Sequence, residues 1–467
     1  MMNTLILLQL IREHRRLCHR DRWTRRQLEA HQTEALRLLR EHAYAHSPFY
    51  RRFHRGFINS PLQELPVLTK AMMMEHFDEL VTDRAIRLDE VKAHQANMRG
   101  DERYLGRYWV NATSGSAGHP GLFLFDRSEW LTVLASFARG YEWAGVEVSL
   151  AHRRKMAVVA STTPWHMSAQ AGVTLRSWWV PTLRLAASEP MENIVPRLNE
   201  WRPETLVSYA SMARSLADEQ LAGRLHIVPN RIFTSSEVLT KESRRRIEEA
   251  WGRRLYNQYA ATESGVLAAE CDQHRGLHLF EDLVICEVVD QDNRPVPPGV
   301  YGDKLLLTVL FGRTQPLIRY ELSDSVRLTG DACACGRAFT LIDDIQGRAE
   351  DVLWFPKSEG GLAPVHPITF HRVMELLPIK GWQIAQEANG LKVLLSGARD
   401  GFSDETLVDA LRQALRDHGV VVPTIGVQQV ETIPRGAAGK APLIRANKSS
   451  GIKALERAEE MRDAPQT

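Results

Sequence analysis

The chain has 467 residues, enough to bury a large core and to divide into at least two domains. Hydrophobic residues make up 44% and charged residues 25%, and a formal net charge of +2 predicts neither bulk nucleic-acid binding nor strong membrane attraction. The opening TLILLQLI is far short of the roughly 20 apolar residues a spanning helix needs and runs into arginines without a small-residue cleavage site, so a cytoplasmic protein is expected.

In chain order, residues 3 to about 45 carry leucines at helical intervals, with Arg12, Arg15, Arg16, Arg20, Arg22, Arg25 and Arg26 between them. This reads as a solvated helix face partly offset by Glu13 and Asp21, in preference to a nucleic-acid surface. From Arg107 onward RKMAVVAS, ETLVSYAS, RIFTSSE and RRLYNQYA read as short buried strands ending in polar or small residues, with helical stretches such as KESRRRIEEAWG between them. Such α/β layering gathers loops at strand ends, where ligands usually bind. After CEVVD, turn signals in QDNRPVPPGVYGD announce a β-rich subdomain. From about Asp351 to Lys448 the pattern is a small α+β unit: LKVLLSG as strand, DETLVDALRQALRDHG as a helix stopped by Gly419, and TIGVQQV as strand.

Several short stretches carry chemistry. ATSGSAGHPG (112 to 121) holds three glycines, two serines, a threonine and a proline. It lacks the lysine and glycine spacing of a P-loop, which leaves two readings: a hairpin turn, or a loop whose backbone amides approach an anion while Thr113, Ser114 and Ser116 add hydroxyls. YNQYAATESG places an aromatic face, Tyr259, four residues before a carboxylate, Glu263. RYELSD ends in Asp324, QGRAEDV presents Gly347 and Arg348, and IPRGAAGKAP delivers Lys440 from a flexible loop.

In this order the stretches resemble the motifs of the adenylate-forming superfamily of acyl-CoA synthetases, adenylation domains and luciferases, most of all its phenylacetate-CoA ligase branch. LREHAYAHSPFYRRF and LQELPVLTKAMMMEHFDEL are similar to that branch's helical opening. TSGSAGHPG resembles the phosphate loop, TSSE and YAATE the adenine and magnesium motifs, YELSD the ribose motif, GRAED the hinge and GAAGK the catalytic-lysine loop. The implied fold is a large N-terminal α/β domain of layered sheets and helices with a β-rich subdomain (1–346), a hinge (347–351) and a small α+β lid (352–467). The implied activity is acyl-adenylate formation from ATP with release of pyrophosphate, then acyl transfer to coenzyme A. By the same resemblance Thr113, Ser114, Gly115, Ser116 and Gly118 clasp the phosphates, and Ser236 and Glu237 border the adenosine pocket. Tyr259 lies against adenine, Thr262 meets the α-phosphate, Glu263 holds Mg²⁺, Asp324 and Arg348 bind ribose, and Lys440 bridges the carboxylate and α-phosphate.

Five cysteines in so long a chain form no disulfide framework. Cys271 with His274 is a C-x-x-H pair and Cys333 with Cys335 a C-x-C pair, which together make a candidate structural zinc site, with His278 the alternative fourth ligand. Cys18 and Cys286 read as packing residues. Trp165 and His166 are candidates for lining an acyl pocket, and Trp178 and Trp179 for the core. Two departures from the family pattern stand out. The phosphate loop has HPG where Lys-Pro-Lys is common, and the long WFPKSEGGLAPVHP follows the hinge where many coenzyme A ligases have a compact glycine turn. A non-thiol acceptor, as in an amide ligase or nucleotidyltransferase, is the second reading, and a zinc-stabilised nucleic-acid-binding protein the third. The expected partners are a small carboxylic acid and coenzyme A or another nucleophile, with no nucleic acid and no membrane, for a monomer or homodimer.

Overall fold

The structure, a computed structural model, describes residues 4–113, 120–146, 153–175, 178, 180–348, 351–357, 362–365, 367–374, 377–379, 381–387, 390–398, 401–435 and 440–447. The N-terminal helical stretch is two helices, Thr4–Arg20 and Arg25–His46. Thr24 breaks it by capping the second: its side chain accepts from Gln27 N–H and Gln27 returns the bond, a reciprocal capping box. The basic face is less solvated than expected. Arg20 bonds Asp282 at 3.4 Å and Arg25 holds Glu281 at 2.8 Å, so both guanidiniums dock the helices onto the body.

Strands β1 (Trp109–Ala112) and β2 (Leu122–Phe125) form an antiparallel pair flanking the glycine-rich loop. Next come β3 (Met156–Ala160), β4 (Thr182–Ala186), β5 (Thr205–Tyr209), β6 (Arg231–Ser235), β7 (Leu255–Ala261), β8 (Gly265–Glu270) and β9 (Leu277–Leu279). β10 (Val284–Val289), β11 (Lys304–Val309) and β12 (Tyr320–Leu322) make a separate antiparallel sheet, and β13 (Asp324–Thr329) and β14 (Leu341–Arg348) return to the main one. The main sheet has nine strands in the order β13-β14-β9-β8-β7-β6-β5-β3-β4. It is parallel from β4 to β7 and antiparallel from β7 to β13. The direction changes at the β7–β8 hairpin, and the carboxyl ends of β5, β6 and β7 open onto one crevice, where sheets of this kind bind ligands.

The strands predicted around Met156, Thr205, Arg231 and Leu255 are all present, and the helix between β6 and β7 is Lys241–Trp251, capped by Thr240 and ended at Gly252. Beyond β14, β15 (Leu353–Pro356) pairs with β16 (Leu362–Val365). β17 (Gly381–Glu387), β18 (Gly390–Ser396), β19 (Thr424–Gln429) and β20 (Ile444–Arg445) form a four-stranded sheet. The helix Asp404–Arg416 covers it with Leu407, Leu411 and Leu415, one residue per turn on one face. These segments build a core of their own from Leu353 to Ile444, distinct from the clusters of the large sheet. Among the described residues no helix is long and apolar enough to cross a membrane.

Candidate active site

The crevice is a cavity of about 1670 Å³ between the large sheet and the C-terminal lobe. Thr113, Ser236, Glu237, Tyr259, Thr262, Glu263, Asp324, Arg348 and Lys440 all line it. Residues from six stretches spread over more than three hundred positions thus line one cavity. Ser114, Gly115, Ser116 and Gly118 lie outside the described residues. Thr113 stands at the entry to that loop, its N–H donating to Gly121 O and its hydroxyl accepting from Gly121 N–H, so β1 and β2 hold the two ends of the loop together.

Asp324 is braced from two sides: the Tyr259 hydroxyl donates to it at 2.8 Å, and Arg348 approaches within 3.5 Å. The pairing of β13 with β14 sets Asp324 opposite Arg348, which makes this acid and base one unit of sheet register. Gly347, just before Arg348, has φ +114, a conformation that favours glycine, and marks where the chain leaves the sheet toward the second lobe. Glu263 is buried in the β7–β8 turn, and burial raises its pKa to about 7. A carboxylate so poorly neutralised by the protein's own cations suits a hard divalent ion.

Lys440 is the C-terminal lobe's contribution. Burial, reinforced by the like charge of Arg348, lowers its pKa, and its ammonium sits 5.5 Å over the Tyr209 ring. Glu237 ties this loop to the large lobe: one oxygen accepts Ser211 N–H at 2.8 Å and the other Ala441 N–H at 3.3 Å. Arg435 reaches across the same seam to the hydroxyls of Ser211 and Ser215 at 3.4 and 3.3 Å. Sequence reasoning missed Lys70, Tyr209 and Arg435, all of which line the cavity. Tyr209 ends β5, a position that strand-end logic alone flags, and Arg435 directly precedes the lysine loop. His166 also lines the cavity and accepts or donates to Ser161 Oγ at 2.6 Å; burial first, and Lys440 second, depress its pKa to about 4. Trp165 packs instead against the core near β1 and β2. Trp178 is 66% exposed, stacked under Arg153, and not a core residue. Trp179 lies outside the described residues.

The cysteine site is real as a cluster, but its histidine is His278 and not His274. Cys271, His278, Cys333 and Cys335 bring their donor atoms within 4.8 Å of one another. His278 stands on β9 between Ala269 of β8 and Leu341 of β14, with Nε2 at 3.3 Å from Cys335 Sγ. Gly276 permits this: its φ is +134, and a Cβ there would meet Ile342 O at 2.6 Å. His274 has φ +50, donates its N–H to Cys271 O to close the turn, and aims its ring at Glu270 and Tyr256. The C-x-x-H spacing therefore describes a turn, not a ligand pair. The Cys271–Cys333 separation of 3.7 Å matches the edge of about 3.8 Å of a tetrahedron with Zn–S bonds of about 2.3 Å.

The layered α/β fold with its crevice at the strand ends is that of the adenylate-forming ligases. No family model matches the chain. It is 27% identical over 349 residues to a phenylacetate-coenzyme A ligase of Thermus thermophilus, covering 70% of this chain and 72% of that one. It is 25% identical over 349 residues to the Escherichia coli phenylacetate-coenzyme A ligase, with the same coverage. Among solved structures, 2-hydroxyisobutyryl-CoA ligase in the postadenylation state superposes with a TM-score of 0.69 at 21% identity, over 95% of this chain and 94% of that one. In sequence the chain is thus similar to phenylacetate-coenzyme A ligases, and its fold is that of a solved acyl-CoA ligase.

Proposed function

We propose that the protein activates a carboxylic acid with ATP, releases pyrophosphate, and passes the acyl group to coenzyme A. The observation that carries this reading is the meeting of Glu263, Asp324, Arg348 and Lys440 around one cavity. Attack of a carboxylate on a triphosphate brings two anions together, so the protein's work is to orient them and neutralise charge. Lys440, desolvated and aimed in from the second lobe, supplies an ammonium where the carboxylate oxygen bonds to the α-phosphorus and the bond to pyrophosphate breaks. Asp324, held by Tyr259 and Arg348, takes the ribose hydroxyls. Thr262 meets the α-phosphate. Ser236 and Tyr259 flank the base, and Thr113 with the loop it closes, Ser114 to Gly118, clasps the outgoing phosphates. Glu263 would hold Mg²⁺, which supplies Lewis-acid neutralisation of the phosphates when bound.

The relatives are named as coenzyme A ligases, which supports that acceptor here. Residues 352–467 act as the lid on 1–346 and turn about 347–351 between the half-reactions. Glu237 serves the first of these as a latch, holding the Lys440 loop through Ala441. The cluster of Cys271, His278, Cys333 and Cys335 would take a structural Zn²⁺ in the reducing cytoplasm. Mass spectrometry of products with and without coenzyme A tests the sequence of steps. A thioester with it and an acyl-adenylate without it are expected; an adenylate that never becomes a thioester would favour an amide-forming or nucleotidyl acceptor, and no adenylate with any acid would end the reading.

A further inference from the structure

A second set of side chains of metal-ligating type, sharing no residue with the cavity lining or the Cys271 cluster, lies where the helix Thr4–Arg20 packs on the helix Arg127–Trp143. His14 and Cys18 are one turn apart on the first helix and share a face. Glu142 comes from the last turn of the second. His14 Nε2 is 2.8 Å from Glu142 Oε2; Cys18 Sγ is 2.8 Å from the same oxygen and 3.5 Å from that nitrogen. All three donors fall within 4.8 Å of one another, with Cys18 half-buried at the contact between the two helices.

We propose that His14, Cys18 and Glu142 bind a divalent transition metal of the zinc type, with water completing the coordination, and so fasten the N-terminal helix to its neighbour. The donor set is chemically apt: a thiolate and a carboxylate cancel the dication's charge, and a neutral imidazole completes a borderline-soft face. The sulfur–nitrogen separation of 3.5 Å matches a tetrahedral edge of about 3.5 Å built from bonds of about 2.3 and 2.0 Å. Glu142 is half-exposed and free to draw back as the ion enters. Arg139, the buried cation beside the group, is already committed to Asp282 at 2.7 Å and Asp21 at 3.0 Å. On binding, the Cys18 S–H bond breaks, its proton passes to solvent, and the sulfur's electron pair goes to the metal. With three protein ligands and partial exposure, this site empties into a chelator before the four-donor cluster does.

Iodoacetamide labelling of the folded full-length protein, read cysteine by cysteine with and without added Zn²⁺, decides the matter. Zn²⁺ is expected to slow alkylation of Cys18 by about tenfold or more. His14→Gln and Glu142→Gln, which keep the thiol, lose the protection. Metal analysis gives one Zn²⁺ fewer in Cys18→Ser than in wild type, an answer that holds even if a His14 or Glu142 variant fails to fold. Equal Cys18 labelling in wild type with and without Zn²⁺, or equal metal content in wild type and Cys18→Ser, overturns the proposal.

Discussion

The Cys271 cluster and the nucleotide cavity are assembled by opposite strategies. In the cluster, Cys271 follows β8, His278 is in β9 and the two remaining cysteines come from the loop before β14, so every donor lies in or beside neighbouring strands of one sheet. The cavity draws Glu263, Asp324 and Arg348 from that same sheet but Lys440 from a lobe with its own core. A structural ion needs donors already in place; a two-step reaction needs one donor that arrives and leaves. The large lobe carries its charges in rigid register, whereas Lys440 crosses the seam beside Ala441, whose N–H bond to Glu237 is easily exchanged.

The strongest way to break this contrast is Lys440→Ala. It is expected to lower acid-dependent pyrophosphate exchange by about 10²–10³-fold with unchanged circular dichroism, because the lysine lines the cavity and belongs to neither core. Glu263 gives the next effect. Its folded pKa of about 7 lies above the ordinary 4.5, so the folded protein binds a proton the unfolded chain has lost, and stability falls as pH rises from 4.5 through 7. Denaturant titration without ligands should show Glu263→Gln gaining on wild type by about 3 kcal/mol between pH 4 and pH 8; parallel curves would remove the buried-acid account. In the rigid region, His278→Ala should abolish Zn²⁺ retention at the Cys271 cluster and lower the melting midpoint by about 5 °C, while His274→Ala keeps that metal. Glu237→Gln sharpens the other side: exchange falls by about tenfold, yet thioester formation from supplied acyl-adenylate is untouched. Equal losses in both steps would make Glu237 a general packing residue.

The same contrast explains what the sequence makes legible. Asp324, Glu263 and Lys440 each sit in short local motifs, and the α/β order of strands from Met156 to Ala261 follows from buried apolar runs between turn residues. Partners chosen by tertiary packing do not show. His278 displaces His274 because register across β8, β9 and β14 decides the ligand, and local spacing has no access to register. Arg435, Tyr209 and the split of the first helix at Thr24 depend on contacts between distant segments or on a single cap. Arg20 and Arg25 look solvated in isolation; Asp282 and Glu281, more than 250 residues on, claim them.

Central to all of this is a triphosphate held where Lys440 meets the large sheet. Exchange of labelled pyrophosphate into ATP, measured with Mg²⁺ across a panel of aryl, fatty and amino acids, tests it most directly. At least one carboxylic acid should drive exchange in the wild type and fail to do so in Lys440→Ala; exchange that is independent of any acid, or equal in the two proteins, would contradict the account.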